Sequence, residues 1–224
     1  MAVFITGAGN LYGLSPTKLL SDYAEGDVVL IPENGVPVEF YVAKHDYESS
    51  LNGTGRTLLV RKDCHSQMKL NTDGKHNFVD STIDTWLNGE YANTLSELIR
   101  NGISSTTINY TAGIGISTSV ATISRPVFLL SLAEYGLSTS YANSEGEALP
   151  IADILKVANL GGTATRHWTR TPQYAGPYNV CIITQIGTVG VENGSSTYGV
   201  RPAFTLPATT AFSMRTNVIK GVAT

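Results

Sequence analysis

His167-Trp168-Thr169-Arg170-Thr171-Pro172 and Tyr198-Gly199-Val200-Arg201-Pro202-Ala203-Phe204 bracket the stretch that decides the fold. Each sets an arginine and an aromatic residue close to a proline. Between them, apolar runs at 180–186 and 188–192 read as short strands around Gly187, and 200–206 reads as a last core strand. The intervening loops are rich in Tyr, Asn, Gly and Ser. The residues therefore divide into two sets. Trp168 and Phe204 suit the core, while Arg170 and Arg201 suit either a clamp on backbone carbonyls or a pair with a buried acid. Those four are the expected scaffold. Tyr174, Tyr178, Asn179, Asn193 and Tyr198 are the expected ligand-binding residues, because Tyr offers rigid amphipathic area and Asn offers adaptable hydrogen bonding.

Upstream, the chain reads as hairpins and short helices. A strand is expected at 3–6, and a short helix from Ser15 with Pro16 at its first position. Residues 28–31 and 36–42 flank Pro32-Glu33-Asn34-Gly35, a hairpin with Val36, Val38, Phe40 and Val42 on its buried face. A turn at 51–55 leads to a strand at 57–61. Ser81-Thr82-Ile83-Asp84 fits a capping box, with Ile83, Trp86, Leu87 and Tyr91 on one helical face and Asn88-Gly89 ending it. A second helix is expected at 94–100, with Leu95, Leu98 and Ile99 inward and Gly102 as its stop. Residues 103–124 read as irregular strand or loop, 126–130 as buried, 131–135 as a helical turn and 138–149 as a surface loop. Pro150 opens a further helix with Ile151, Ile154, Leu155 and Ala158 inward and Gly161-Gly162 as its stop.

The chain has 224 residues, 42% hydrophobic and 15% charged, enough apolar content for a core and too little charge for disorder. A net charge of −3 argues against nucleic-acid binding. No apolar run is long enough for membrane insertion, and the N-terminus lacks the basic start of a signal peptide. Cys64 and Cys181 read as reduced, buried thiols. His45, His65, His76 and His167 read as ordinary polar residues, since no closely spaced Cys or His pair marks a metal site. No G-x-S-x-G occurs, and Gly113-Ile-Gly115 lacks the third glycine and the lysine of a phosphate cradle. The expectation is no catalytic residue, no cofactor and no metal.

Trp86-Leu87-Asn88, the run Arg-Pro-Val-Phe-Leu-Leu-Ser at 125–131, Trp-Thr-Arg-Thr-Pro at 168–172 and Gly-Val-Arg-Pro-Ala-Phe at 199–204 occur in that order. This set resembles a domain of unknown function common in Gram-positive bacteria and their prophages, whose members often end in W-x-R-[ST]-P followed by G-V-R-P-x-F. The runs at 35–40 and 51–63 resemble the prophage versions. The resemblance covers roughly residues 26–207. It implies an α+β, C-type lectin-like fold of β-hairpins with two or three short helices, related to formylglycine-generating enzymes and retroelement variable proteins. In those variable proteins a G-x-R-P-like strand supports a ligand-binding face. Two departures stand out. Cys181 has no close cysteine partner of the kind formylglycine-generating enzymes use, and no Trp-Asn-Asp or Glu-Pro-Asn calcium motif is present.

The expected organisation is an N-terminal attachment segment at 1–25, a lectin-like domain at 26–207 and a C-terminal tail at 208–224. The expected function is non-enzymatic: a phage or prophage virion protein, made in the bacterial cytoplasm without a signal peptide, that binds a host-surface glycan or protein. Its partners would be other virion proteins and its own copies, a trimer by analogy. The alternative is a purely structural capsid-decoration or tail-assembly subunit, and a third reading is an enzyme of the formylglycine-generating type.

Overall fold

The computed structural model describes residues 17–112, 119–174 and 176–213. The expected strand at 3–6 and the glycines at 113 and 115 lie outside them. In chain order come β1 (Thr17–Leu19), β2 (Val28–Glu33), β3 (Val36–His45), β4 (Arg56–Arg61) and β5 (Ser66–Lys69). Helix α1 (Ser49–Asn52) joins β3 to β4. Next come α2 (Thr82–Trp86), α3 (Ala92–Thr94) and α4 (Glu97–Gly102), followed by strands β6 (Thr106–Thr111), β7 (Val120–Arg125) and β8 (Val127–Phe128). Helix α5 (Ala152–Leu155) precedes β9 (Ala158–Leu160) and β10 (Thr163–Thr165). The C-terminal part holds β11 (His167–Pro172), β12 (Asn179–Ile183), β13 (Val189–Asn193), β14 (Thr197–Val200), β15 (Ala203–Pro207) and β16 (Ala211–Ser213). The architecture is α+β, rich in strands, with short helices.

Two five-stranded sheets dominate, in the orders β2-β3-β4-β15-β8 and β13-β12-β11-β14-β5. The expected hairpin forms: Asn34 and Gly35 both take positive φ, 49° and 79°, matching the right-handed twist of the flanking strands. Phe40 and Val42 are fully buried on its inner face.

The expected single strand at 200–206 is two strands, one in each sheet. β14 pairs with β5, and β15 pairs with β4 and β8. Pro202 sits at the break, where a residue without an amide proton cannot continue a ladder. The Gly-Val-Arg-Pro-Ala-Phe run is thus the crossing that ties the sheets together.

Other expectations need correction where tertiary pairing overrides local propensity. The helix expected from Ser15 is instead strand at its described end, because Thr17–Leu19 pairs antiparallel with Ala211–Ser213. The second helix starts at Glu97, since Leu95 is held extended by a bridge to Glu33 and Thr94 Oγ1 donates to the Tyr91 carbonyl. Leu98, expected inward, is 53% exposed. The helix after Pro150 lasts one turn. Ala158 belongs to a small hairpin with β10, and Gly161-Gly162 forms its turn at positive φ. Residues 106–111 and 120–125 form a regular hairpin rather than irregular chain. The capping box is half made: Ser81 Oγ accepts from Asp84 N–H at 3.1 Å, but the Asp84 carboxylate turns to the Asp80 amide.

Asn88-Gly89 does not end the first helix. The chain continues through a π-helical turn, Leu87–Tyr91, that delivers Tyr91 to the core. Among the described residues, no helix is long and apolar enough to cross a membrane.

Candidate functional site

The four expected scaffold residues are all buried. Trp168 Nε1–H donates to the Met68 carbonyl at 2.9 Å, tying β11 to β5 across the sheet. Phe204 packs on Phe40 with ring centroids 5.4 Å apart, tying β15 to β3. Arg201 takes the carbonyl-clamp role alone, and Arg170 takes both roles. Arg201 bonds carbonyls: Nε–H to Arg61 at 2.7 Å, Nη2–H to Lys62 at 2.8 Å, and Nη1–H to Leu155. It thereby secures the sheet crossing. Arg170 forks onto Glu134 at 2.7 and 3.1 Å and also bonds the carbonyls of Asn109, Leu129 and Glu145.

Glu145 is the surprise of this network. It lies in the loop expected at the surface, yet it is fully buried. Its carboxylate accepts from Thr111 N–H at 2.7 Å and Thr171 Oγ1–H at 2.8 Å, so the loop carries a core anchor. Burial pushes its carboxyl up to about 7, against the pull of Arg170. Tyr47 donates to Glu134, and burial with that carboxylate beside it holds the phenol well above its ordinary range. Burial opposes the Arg170 charge as well, but the adjacent Glu134 keeps its pKa above the ordinary value. These carboxylates converge, but around an arginine with no exposed face, which suits a structural staple rather than an acid–base pair.

The thiols are buried and unbonded to each other. Burial raises Cys64 to about 11 and Cys181 to about 12, so neither is a thiolate near neutral pH. His167, read as an ordinary polar residue, is fully buried against the Tyr135 ring, and burial with nearby Arg201 pushes it down to about 3. Among the described residues no cluster of His, Cys, Asp and Glu could hold a metal ion.

The five expected ligand-binding residues do not form one patch. Asn179 and Asn193 are cross-strand partners at one end of the β12–β13 hairpin, and Gly194 N–H donates to the Tyr178 carbonyl at 2.8 Å. Tyr178 is 50% exposed and Asn193 is exposed, so these three share one end of the sheet. Asn179 is half-buried and donates to Gln173 at 3.0 Å. Tyr174 is pinned elsewhere, its hydroxyl donating to the Ser140 carbonyl at 2.6 Å. Tyr198 is half-buried, its ring edge-on to Trp168 at 5.2 Å, with the Arg166 guanidinium 5.9 Å from its centroid. It belongs as much to the scaffold as to any surface.

A second feature was not singled out from sequence. Two adjoining clefts, about 700 and 510 Å³, run along the face of α2 and the π-turn and share Asp80, Thr85 and Gly89. Trp86 and Met68 line the larger. Met68 is the cross-strand partner of Tyr198, so this groove borders the expected site. The signal in sequence was Trp86 beside Asn88-Gly89, which reads equally well as a core residue before a helix stop.

Fold and site together define a two-sheet α+β domain whose C-terminal strands hold an exposed polar and aromatic edge. Residues 54–208 match the family described as Domain of unknown function (DUF6273), and the chain belongs to that family. No curated protein and no solved structure matches the chain.

Proposed function

We propose that this is a phage or prophage virion protein in which a C-type lectin-like domain binds a host cell-surface glycan or protein. The observation that carries the reading is the end of the β12–β13 hairpin. There Tyr178 is half exposed beside exposed Asn193, on a sheet whose central strand is buried along its whole length. A rigid support with an amphipathic aromatic and an amide at its edge is the chemistry of recognition loops. The ordered motifs supply the prophage element, and display in several copies, a trimer by analogy, follows from it.

The test is adsorption. Particles carrying Tyr178→Ala with Asn193→Ala should assemble normally and bind host cells at least tenfold less. Normal adsorption by those particles overturns the reading.

One observation favours a purely structural subunit instead. β13 ends its sheet with one edge unpaired among the described residues, and Ile186 beside it is 73% exposed. Open edges and isolated apolar tips are where chains join. Failure of assembly in the same variants, with normal adsorption of residual particles, selects this reading.

A further inference from the structure

The groove along α2 and the π-turn is lined by one apolar wall and a polar rim. Trp86 is half-buried, its ring packed against His65 at 5.2 Å and Tyr91 at 5.4 Å, which fixes its orientation. Thr82, Thr85, Trp86, Gly89 and Glu90 recur at three- and four-residue spacings and so share one face. The π-turn that carries Gly89 and Glu90 is a rare helical geometry that recurs at functional sites. Gly89 opens the floor: a Cβ there would meet nothing within 4 Å.

The charges at the two ends differ. Arg125 stands at one end, bonded to Asp84 at 2.9 Å and Asp80 at 3.3 Å. Exposed Glu90 stands at the other and makes no ion pair among the described residues. An anionic ligand would meet Glu90 and Asp80 with no unpaired cation to hold it, since Arg125 is already matched by Asp84 and Asp80. A cationic one would find Glu90 alone unpaired among the carboxylates of the larger cleft. Between the two ends the rim offers the hydroxyls of Thr72, Thr82 and Thr85 and the amide of Asn71. Those groups both donate and accept, as sugar hydroxyls do. An indole face is apolar and flat, matching the C–H face of a pyranose. Each cleft, about 700 and 510 Å³, falls in the range of small-ligand sites.

We propose that this groove binds a neutral oligosaccharide, with one pyranose ring stacked on Trp86 and its hydroxyls bonded to the threonine and asparagine rim. The inference deepens the host-binding reading by naming a glycan and a site for it, separate from the Tyr178 edge.

The experiment uses the full chain and follows Trp86 emission. Trp168, the other tryptophan, is fully buried and serves as a constant background. The probes are neutral tri- and tetrasaccharides of glucose, galactose, mannose and N-acetylglucosamine, with tetralysine and a sialylated trisaccharide as charged controls. At least one neutral probe should shift the emission saturably. Gly89→Leu, whose side chain enters open space, should weaken that probe at least tenfold while melting with the wild type. Trp86→Phe, which lacks the reporter and is followed by titration calorimetry, should weaken it less. The proposal is overturned if no neutral probe binds, if a charged control binds in preference, or if Gly89→Leu leaves binding unchanged. Saccharide binding that survives Gly89→Leu but is lost in Tyr178→Ala sinks the groove and keeps the host-binding reading. Saccharide binding lost in Gly89→Leu with adsorption unchanged keeps the groove as a glycan site and overturns its part in host binding.

Discussion

Arg170 and Glu134 form a two-bond fork, 2.7 and 3.1 Å, with both side chains fully buried. The fork joins β11 to the turn that follows β8, and Glu145 completes it from a distant loop with Arg170 Nε 3.8 Å from its carboxylate. The central strand of the second sheet is therefore tied by charge to two separate loops.

Breaking that fork from one side should be expensive. Glu134→Ala leaves Arg170 without its main counter-charge and is expected to cost about 3–5 kcal/mol in urea denaturation. Arg170→Met combined with Glu134→Leu should recover a substantial part, because the arginine charge leaves with its main partner and buried Glu145, without Arg170, is held in its neutral form by burial. Equal losses in the single and double variants would contradict the account.

The pH dependence of stability carries the mark of Glu145. Its folded pKa, about 7, lies above its ordinary 4.5, so the folded chain keeps a proton that the unfolded chain releases. Its contribution is present below pH 4.5 and is lost as pH rises through about 7. His167, lowered from 6.5 to about 3, works in the opposite sense: its contribution is present above pH 6.5 and is lost as pH falls towards 3. The two oppose each other between pH 4.5 and 6.5. Wild-type stability measured relative to Glu145→Gln should therefore rise by up to about 3 kcal/mol from pH 7.5 to 4.5. A flat difference would show that Glu145 stays ionised throughout.

Gly199 is required by contact. A Cβ there would lie 2.6 Å from Cys64 Sγ and 3.0 Å from the Arg166 carbonyl. Gly199→Ala should cost about 1–3 kcal/mol. Adding Cys64→Ala should restore part of it, since the sulfur leaves and the carbonyl stays. Additive losses in the pair would show that the clash is not with the sulfur.

The two tyrosines nearest the sheet edge should behave differently. Tyr178→Ala is expected to change stability by no more than about 0.5 kcal/mol, because half of the side chain is already in solvent. Tyr198→Ala removes the ring packed on Trp168 and should cost at least about 1 kcal/mol. Thermal melts of the two variants check this, and they decide which tyrosine is safe to use in adsorption assays.

Neither thiol should react in the folded protein. Cys64 and Cys181 are buried and protonated, so Ellman's reagent should label neither until denaturant is added, and then both. Fast labelling of either under native conditions would contradict their placement.

The sequence by itself determined the local grammar. Asn34-Gly35 specified a hairpin turn because few residues tolerate positive φ. Alternation marked Phe40 and Val42 as buried, although Val36 beside the turn, expected on the same face, is 62% exposed; Ser81 capped α2, and the low charge ruled out a disordered chain. It also separated Trp168, Arg170, Arg201 and Phe204 as scaffold, since long cationic and aromatic side chains beside prolines in apolar runs must find partners inside. Only the tertiary structure decided who those partners are. Glu134 and Glu145 meet Arg170 from separate loops, and nothing local in a loop such as 138–149 marks one glutamate as buried. Leu95 was drawn out of a helix by Glu33, and the Gly199–Phe204 run was split between two sheets, because pairing with distant strands outweighs propensities worth a few tenths of a kcal/mol. The same non-local packing placed Tyr198 against Trp168, left Tyr178 at the edge, and opened the groove beside Trp86.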